Sequence, residues 1–251
     1  LNLNSTEPRL LVDADIFVYQ AISIAEREIE FEEDVWVMYT NLRDAHDALS
    51  DALNKIIDAV PDHNVVMCFS DQVNFRKELN PTYKSNRRTR KPMAFKEFRQ
   101  FAINNYQSVI LPTLEADDLL GILATDPKAP PSIIVSADKD LKQIPGKHLV
   151  DGEVITITKE QGDYFHMMQT LTGDAVDGYA GCPGIGPKKA ETILAKATDG
   201  VSVWGAVVGA YVKAGLDEEE ALLQARMARI LQWGDYDMQK NKVNLWQPTI
   251  V

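Results

Sequence analysis

The chain has 251 residues, 45% of them apolar, with 14 Gly and 12 Pro, which excludes a disordered or fibrous chain and suits one large domain or one domain with an appendage. No run approaches the roughly 20 continuous apolar residues of a membrane span, and the net charge of −11 speaks at first sight against a nucleic-acid partner. Cys68 and Cys182 stand apart and His46, His63, His148 and His166 have no zinc-like spacing, so a reducing compartment without structural zinc is expected.

Residues 10–12 form the first short apolar run and read as a buried strand. The acidic run Glu26, Glu28, Glu30, Glu32, Glu33 and Asp34 fits no motif and reads as solvated surface facing away from any nucleic acid. From Leu42 to Val60 the apolar residues fall on one helical face. Residues 65–69 give a second strand, followed at 76–99 by nine basic and two acidic residues, a local charge of +7 that leaves −18 on the remainder. Such a run is usually a solvated face. Further strands are expected at 109–111 and 133–135, separated by a helix that begins near Glu115 and carries Leu119, Leu120 and Leu123. The alternation implies an α/β fold, a mainly parallel central sheet flanked by helices, with its site at the carboxyl ends of the strands.

Acids follow each of the four strands: Asp13 and Asp15, then Asp71, then Glu115, Asp117 and Asp118, then Asp138 and Asp140. One Asp after a strand commonly caps a helix. Four such sets converge on one sheet edge, where like charges resist ionisation unless cations neutralise them. Mg²⁺ or Mn²⁺ suits such a cleft, because both prefer oxygen ligands and Mg²⁺ keeps several waters. Asp174 and Asp177, three apart, would share a helical face and add two more acids. The turn Gly184-Ile185-Gly186, followed by Lys188 and Lys189, has the form of a phosphate-holding helix start, although alone it is more often an ordinary connection.

Seven segments occur in order: Val12-Asp13; Phe69-Ser-Asp71 through Phe75-Arg76-Lys77-Glu78-Leu79; Tyr83-Lys84-Ser-Asn86-Arg87; Glu115-Ala-Asp117-Asp118; Ser136-Ala-Asp138-Lys-Asp140; Gly173-Asp174-Ala-Val-Asp177-Gly; and Gly184-Ile-Gly186-Pro-Lys188. As a set they resemble the flap endonuclease and 5′ nuclease superfamily over nearly the whole chain. The tail, at 227–232 and 245–248, is most similar to the exonucleases of T-seven-like podoviruses.

The resemblance implies a PIN-like 5′ nuclease fold with a helix-three-turn-helix and a helical C-terminal part. Residues 1–165 would form the nuclease core, with a basic arch at about 76–99, and 166–251 the rest. It implies a metal-dependent 5′ to 3′ exodeoxyribonuclease acting on duplex DNA, and on flaps and RNA in hybrids, by two-metal hydrolysis. The setting would be phage replication or recombination, as a monomer in the cytoplasm of an infected bacterium. Carried over residue by residue, the ligands of two or more Mg²⁺ or Mn²⁺ ions are Asp13, Asp71, Glu115, Asp117, Asp118, Asp138, Asp140, Asp174 and Asp177, without Asp15. Lys84 and Arg87 become catalytic cations. Tyr83, Arg88, Arg90, Lys91, Gly184, Gly186, Lys188 and Lys189 become DNA contacts, although an aromatic placed as Tyr83 is more often a packing residue, with a potassium ion on carbonyls of the helix-three-turn-helix. The alternatives are a PIN-like ribonuclease, against which the Asp174 and Asp177 pair counts, and a noncatalytic DNA-binding module. The latter would have no use for nine carboxylates that repel DNA in the absence of metal.

Overall fold

A computed structural model describes residues 6–87, 89–198 and 202–248, so Arg88 lies outside the described residues. In chain order the first half carries β1 (Arg9–Asp13), α1 (Ala14–Ala25), β2 (Glu26–Glu32), β3 (Val35–Thr40), α2 (Leu42–Ala59), β4 (Asn64–Cys68), α3 (Arg76–Leu79), α4 (Phe95–Asn105), β5 (Ser108–Val109), α5 (Ala116–Thr125) and β6 (Ser132–Val135). After a 3-10 turn at Lys139–Gln143 come β7 (Gly146–Val150), β8 (Glu153–Ile157), α6 (Lys159–Thr172), α7 (Pro187–Ala195), α8 (Val203–Lys213), α9 (Glu218–Ala228), β9 (Tyr236–Asp237) and β10 (Lys242–Val243).

Six strands form the central sheet in the order β5-β4-β1-β6-β7-β8, parallel except for β8, which runs antiparallel to β7. Apolar residues on alternate positions cover both faces, as a doubly covered parallel sheet requires. Leu10, Val12, Met67, Phe69, Ile133 and Val135 pack under α1, α2 and α4. Leu11, Val66, Cys68 and Ile134 pack under Leu119, Leu120 and Leu123 of α5 and Leu141 of the 3-10 turn. Helices α6 to α9 share a separate core that includes Met167, Leu171, Leu194, Val207 and Tyr211. The division expected at residue 165 falls inside α6, which runs unbroken. Gly162 of this helix lies so close to the 3-10 turn that a Cβ would stand 2.4 Å from the Gln143 carbonyl oxygen.

Three expectations change. The strand expected at 109–111 is the two-residue β5. The acidic run lies largely in β2, which pairs with β3 as an exposed hairpin. Its base does not face away from the basic segment, since Glu26 accepts the Arg90 guanidinium and the Met93 N–H, the latter at 2.6 Å. The basic segment is also less uniformly a surface than its composition suggests. Arg76 is 3% exposed, and Arg99 turns inward to Asp15 and the Ser70 carbonyl.

Candidate active site

The parallel strands β1, β4 and β6 end on one edge, and Asp13 and Asp138 gather there because β1 and β6 each lead into a helical start that the acid caps. Asp13 closes β1 and caps α1, accepting the Ile16 N–H at 3.4 Å and the Ser136 hydroxyl at 2.9 Å. Ser136 follows β6 and accepts the Asp138 N–H at 3.0 Å, while Asp138 caps the 3-10 turn by accepting the Asp140 N–H at 2.8 Å. Glu115 caps α5, placing Asp117 in its first turn. Asp174 turns the chain after α6 by accepting the Val176 and Asp177 N–H groups at 2.7 and 3.2 Å. Gly173 there has φ +66, and a Cβ would meet the Ala180 backbone at 2.4 Å, so only glycine permits the turn. The turn docks on the base of the arch, where the Lys84 N–H donates to the Asp177 carbonyl at 2.9 Å.

The result is a cleft of about 330 Å³ lined by Asp13, Glu115, Asp117, Asp138, Asp140, Asp174 and Asp177, together with Lys84 and Arg87. Lys84 Nζ donates to Glu115 at 2.5 Å and stands 3.4 Å from Asp177, which Arg87 also engages. Asp15 reaches the cleft, but its carboxylate is taken by the Ser70 N–H at 2.8 Å and by Arg99 at 3.0 Å.

Three of the expected contacts are placed differently. Asp118 is 0% exposed and outside the cleft, with both oxygens on Arg76 at 2.7 Å, so it is not free to hold a metal. Asp71 does not line the cleft: its oxygens accept the Gln72 and Thr113 N–H groups at 2.7 and 2.8 Å and tie two loops together. Tyr83 is 2% exposed, with its hydroxyl 2.8 Å from Glu115 and 3.1 Å from Asp177, so its ring cannot stack on a base. Arg90 and Lys91 lie along the outer arch, the latter 4.6 Å over the Phe95 ring. Gly186 caps α7 with Pro187 in its first turn, and Lys188 and Lys189 are exposed. The Gly184 carbonyl, on which a potassium ion there could draw, accepts the Lys189 ammonium at 2.8 Å. Ser136 is a site side chain that the acidic pattern does not reveal, and its only sequence signal is its position two residues before Asp138 at a strand end.

The charge balance of the cleft favours a cation. Burial and the charges of Asp15 and Asp138 push Asp13 up to about 7 against its hydrogen bonds from Ser136 and Ile16. Burial, then Asp13, Asp138 and Glu115, raises Asp117, and burial with Asp138 and Asp174 pushes Asp140 up to about 6. Glu115 goes the other way. Burial would raise it, but the Arg76 and Lys84 charges outweigh that and hold it at about 2. One Asp140 oxygen is buried without any partner. Among the described residues no three His, Cys, Asp or Glu side chains close on one point as a metal cage would. The donor set therefore fits a hard ion that keeps several waters and takes one or two carboxylates directly.

These shifts fix a pH dependence for the metal-free protein. An acid raised on folding contributes stability below its unfolded value near 3.8, and that stability is lost as pH rises through the folded value, here about 7 for Asp13. His166, which burial pushes down to about 3, and His148 work in the opposite sense only below their unfolded value of 6.5. The melting temperature without metal should therefore fall as pH rises from about 6.5 through about 7 and level off above that, by about 2–4 °C for each kcal/mol lost, and millimolar Mg²⁺ should remove the fall. Calorimetric scans with EDTA and with Mg²⁺ check this; a flat or rising metal-free profile would contradict the crowding of Asp13 and Asp117.

Residues 8–172 match the 5′-3′ exonuclease, N-terminal resolvase-like domain, and the chain belongs to that family. The exodeoxyribonuclease of Enterobacteria phage T3 is 33% identical over 282 aligned positions, covering 95% of this chain and 92% of its own. The exonuclease of Escherichia phage T7 is 31% identical, covering 95% and 93%. The bacteriophage T5 flap endonuclease, solved as a pseudo-enzyme-product complex with DNA and metal ions, shares the fold, with a TM-score of 0.61 at 12% identity over 88% of each chain. The protein is thus a nuclease of the 5′-3′ exonuclease family, with the expected fold, and the ribonuclease and noncatalytic readings are not favoured.

Proposed function

We propose that this nuclease hydrolyses duplex DNA from its 5′ end, and also 5′ flaps and RNA in hybrids, using Mg²⁺ or Mn²⁺ ions held by Asp13, Glu115, Asp117, Asp138, Asp140, Asp174 and Asp177. The observation that carries the reading is the meeting of these seven acids with Lys84 and Arg87 in one cleft. Bound there, two such ions would neutralise the scissile phosphate and lower the pKa of water. Lys84 and Arg87, without substrate, neutralise Glu115 and Asp177. A scissile phosphate would compete for these same cations and be held by them as its charge builds. The nucleophile needs no protein side chain; among the described residues no His or Cys lines the cleft. The two phage relatives support action in the cytoplasm of an infected bacterium; there the enzyme would work as a monomer in phage DNA replication or recombination.

The test is a labelled DNA duplex beside an RNA duplex of the same sequence, with Mg²⁺ or with EDTA. Cutting of DNA that EDTA abolishes supports the reading. Cutting of the RNA alone would return the ribonuclease, and binding without cutting the noncatalytic module.

The duplex would be gripped away from the cut by the N-terminus of α7, where Gly186 presents its backbone and Lys188 and Lys189 face solvent. Gly186 has φ −100 and a Cβ would meet nothing within 4 Å, so Gly186→Val should leave the protein intact and only obstruct the DNA. Lys188→Ala with Lys189→Ala should make the slope of log affinity against log salt shallower by about one unit for each phosphate that the protein no longer neutralises, measured in Ca²⁺. An unchanged slope and affinity would move the DNA path off this helix.

A further inference from the structure

Arg76 and Asp118 are buried side by side, 3% and 0% exposed, with Arg76 against the wall of the cleft and Asp118 behind it. All five guanidinium N–H donors have acceptors. Nε donates to the Met227 carbonyl at 3.1 Å, Nη1 to Asp118 at 2.7 Å and Glu115 at 3.2 Å, and Nη2 to Asp118 at 2.7 Å and the Arg229 carbonyl at 2.6 Å. The Asp118 carboxylate in turn accepts the Glu115 N–H at 3.3 Å and the Leu231 N–H at 3.2 Å. Three segments distant in sequence therefore meet at one ion pair: α3 at the start of the arch, the first turn of α5, and the chain leaving α9. The last approach is tight, since a Cβ on Gly121 of α5 would stand 2.1 Å from the Leu231 carbonyl oxygen.

A buried ion pair is often no more stabilising than apolar side chains of the same volume, so core stability alone does not account for this one. An arginine fork does what an apolar pair or a lysine cannot, holding carboxylates and carbonyls in a fixed plane. One of those carboxylates is Glu115, which lines the cleft, and the carbonyls belong to a segment whose Met227, Ala228 and Ile230 form part of the cleft wall.

We propose that Arg76 and Asp118 are positioning residues: Asp118 fixes the guanidinium, and the guanidinium fixes Glu115 in the cleft and fastens the segment after α9 against it. This rests on the nuclease reading above. It gives Asp118 a part in metal binding through Arg76 and Glu115 rather than by contact.

Asp118→Asn alone would leave a buried charge without its partner and can unfold the protein. The test therefore uses Arg76→Met combined with Asp118→Leu, which keeps the volume filled, and Arg76→Lys, which keeps the charge and loses the fork. Both should melt cooperatively. Calorimetric titration of the DNA-free protein with Mn²⁺ should show affinity lower by about tenfold or more, as loss of an outer-shell partner commonly does. Single-turnover cutting of a 5′-labelled duplex should slow by a similar factor, while the duplex Kd in Ca²⁺ changes by less than about threefold. A purely structural pair would shift the melting temperature and leave Mn²⁺ affinity and the single-turnover rate unchanged, which would overturn the proposal while wild-type cutting upheld the nuclease reading. Wild-type protein that neither binds Mn²⁺ nor cuts would overturn both.

Discussion

Asp138→Asn should fold as the wild type does and cut DNA about a hundredfold more slowly or worse. The fold is spared because the side chain's structural duty is to accept the Asp140 N–H at 2.8 Å, and an asparagine carbonyl can do the same. What is lost is a negative charge among Asp13, Asp117 and Asp140, each of which Asp138 helps to raise. Two opposite signs are therefore expected from one substitution. The metal-free protein should melt at a higher temperature than wild type near pH 8, because repulsion is relieved, while Mg²⁺ should stabilise it less and support little turnover. Melting curves with and without Mg²⁺, beside single-turnover cutting, read both signs. Wild-type turnover in a folded Asp138→Asn protein would remove Asp138 from the metal set.

Lys84→Ala should lower the single-turnover rate by roughly a hundredfold and leave duplex binding in Ca²⁺ within about threefold. The ammonium is poised in the cleft by its two acidic neighbours, at 2.5 Å from Glu115 and 3.4 Å from Asp177. Its backbone, at φ +55, is held by the bond to the Asp177 carbonyl and survives truncation to alanine. Arg87→Ala should behave similarly, since its guanidinium engages the same Asp177. Arg90→Ala and Lys91→Ala, on the exposed outer arch, should weaken binding and leave the rate at saturating enzyme intact. Equal single-turnover rates for Lys84→Ala and wild type would make it a structural counter-ion only.

The sheet was legible wherever a short apolar run was bounded by acids, as at β1, β4 and β6. The hairpin of β7 and β8 was not, because β8 leaves Glu153, Val154, Ile155 and Thr156 exposed and so lacks a buried run. Its one local signal was Asp151-Gly152, both at positive φ in the turn, as a tight hairpin requires. In the site, a strand end tells where a backbone lies but not where its carboxylate points. Asp117 and Asp118 are adjacent on α5, about 100° apart around the axis, so both could not face one cleft. Asp118 is instead the closing residue of a capping box opened by Glu115, and it turns inward onto Arg76. Arg76 was hidden in a basic run because its partner lies 42 residues away, a distance across which local pattern carries no information. Tyr83, followed in sequence by Lys84 and Arg87, looks like a stacking ring until its burial shows the hydroxyl serving Glu115.

A carboxylate cleft with two poised cations that degrades DNA from the 5′ end has a definite polarity of degradation, and end-labelled duplex reveals it. A duplex labelled on one strand, at the 5′ end in one reaction and the 3′ end in another, is followed in Mg²⁺ from the first turnover. The 5′ label should leave at once as short product while the 3′-labelled strand shortens progressively, and EDTA should stop both. Early release of the 3′ label would exclude 5′ to 3′ polarity, and degradation that continues in EDTA would exclude metal-dependent cutting.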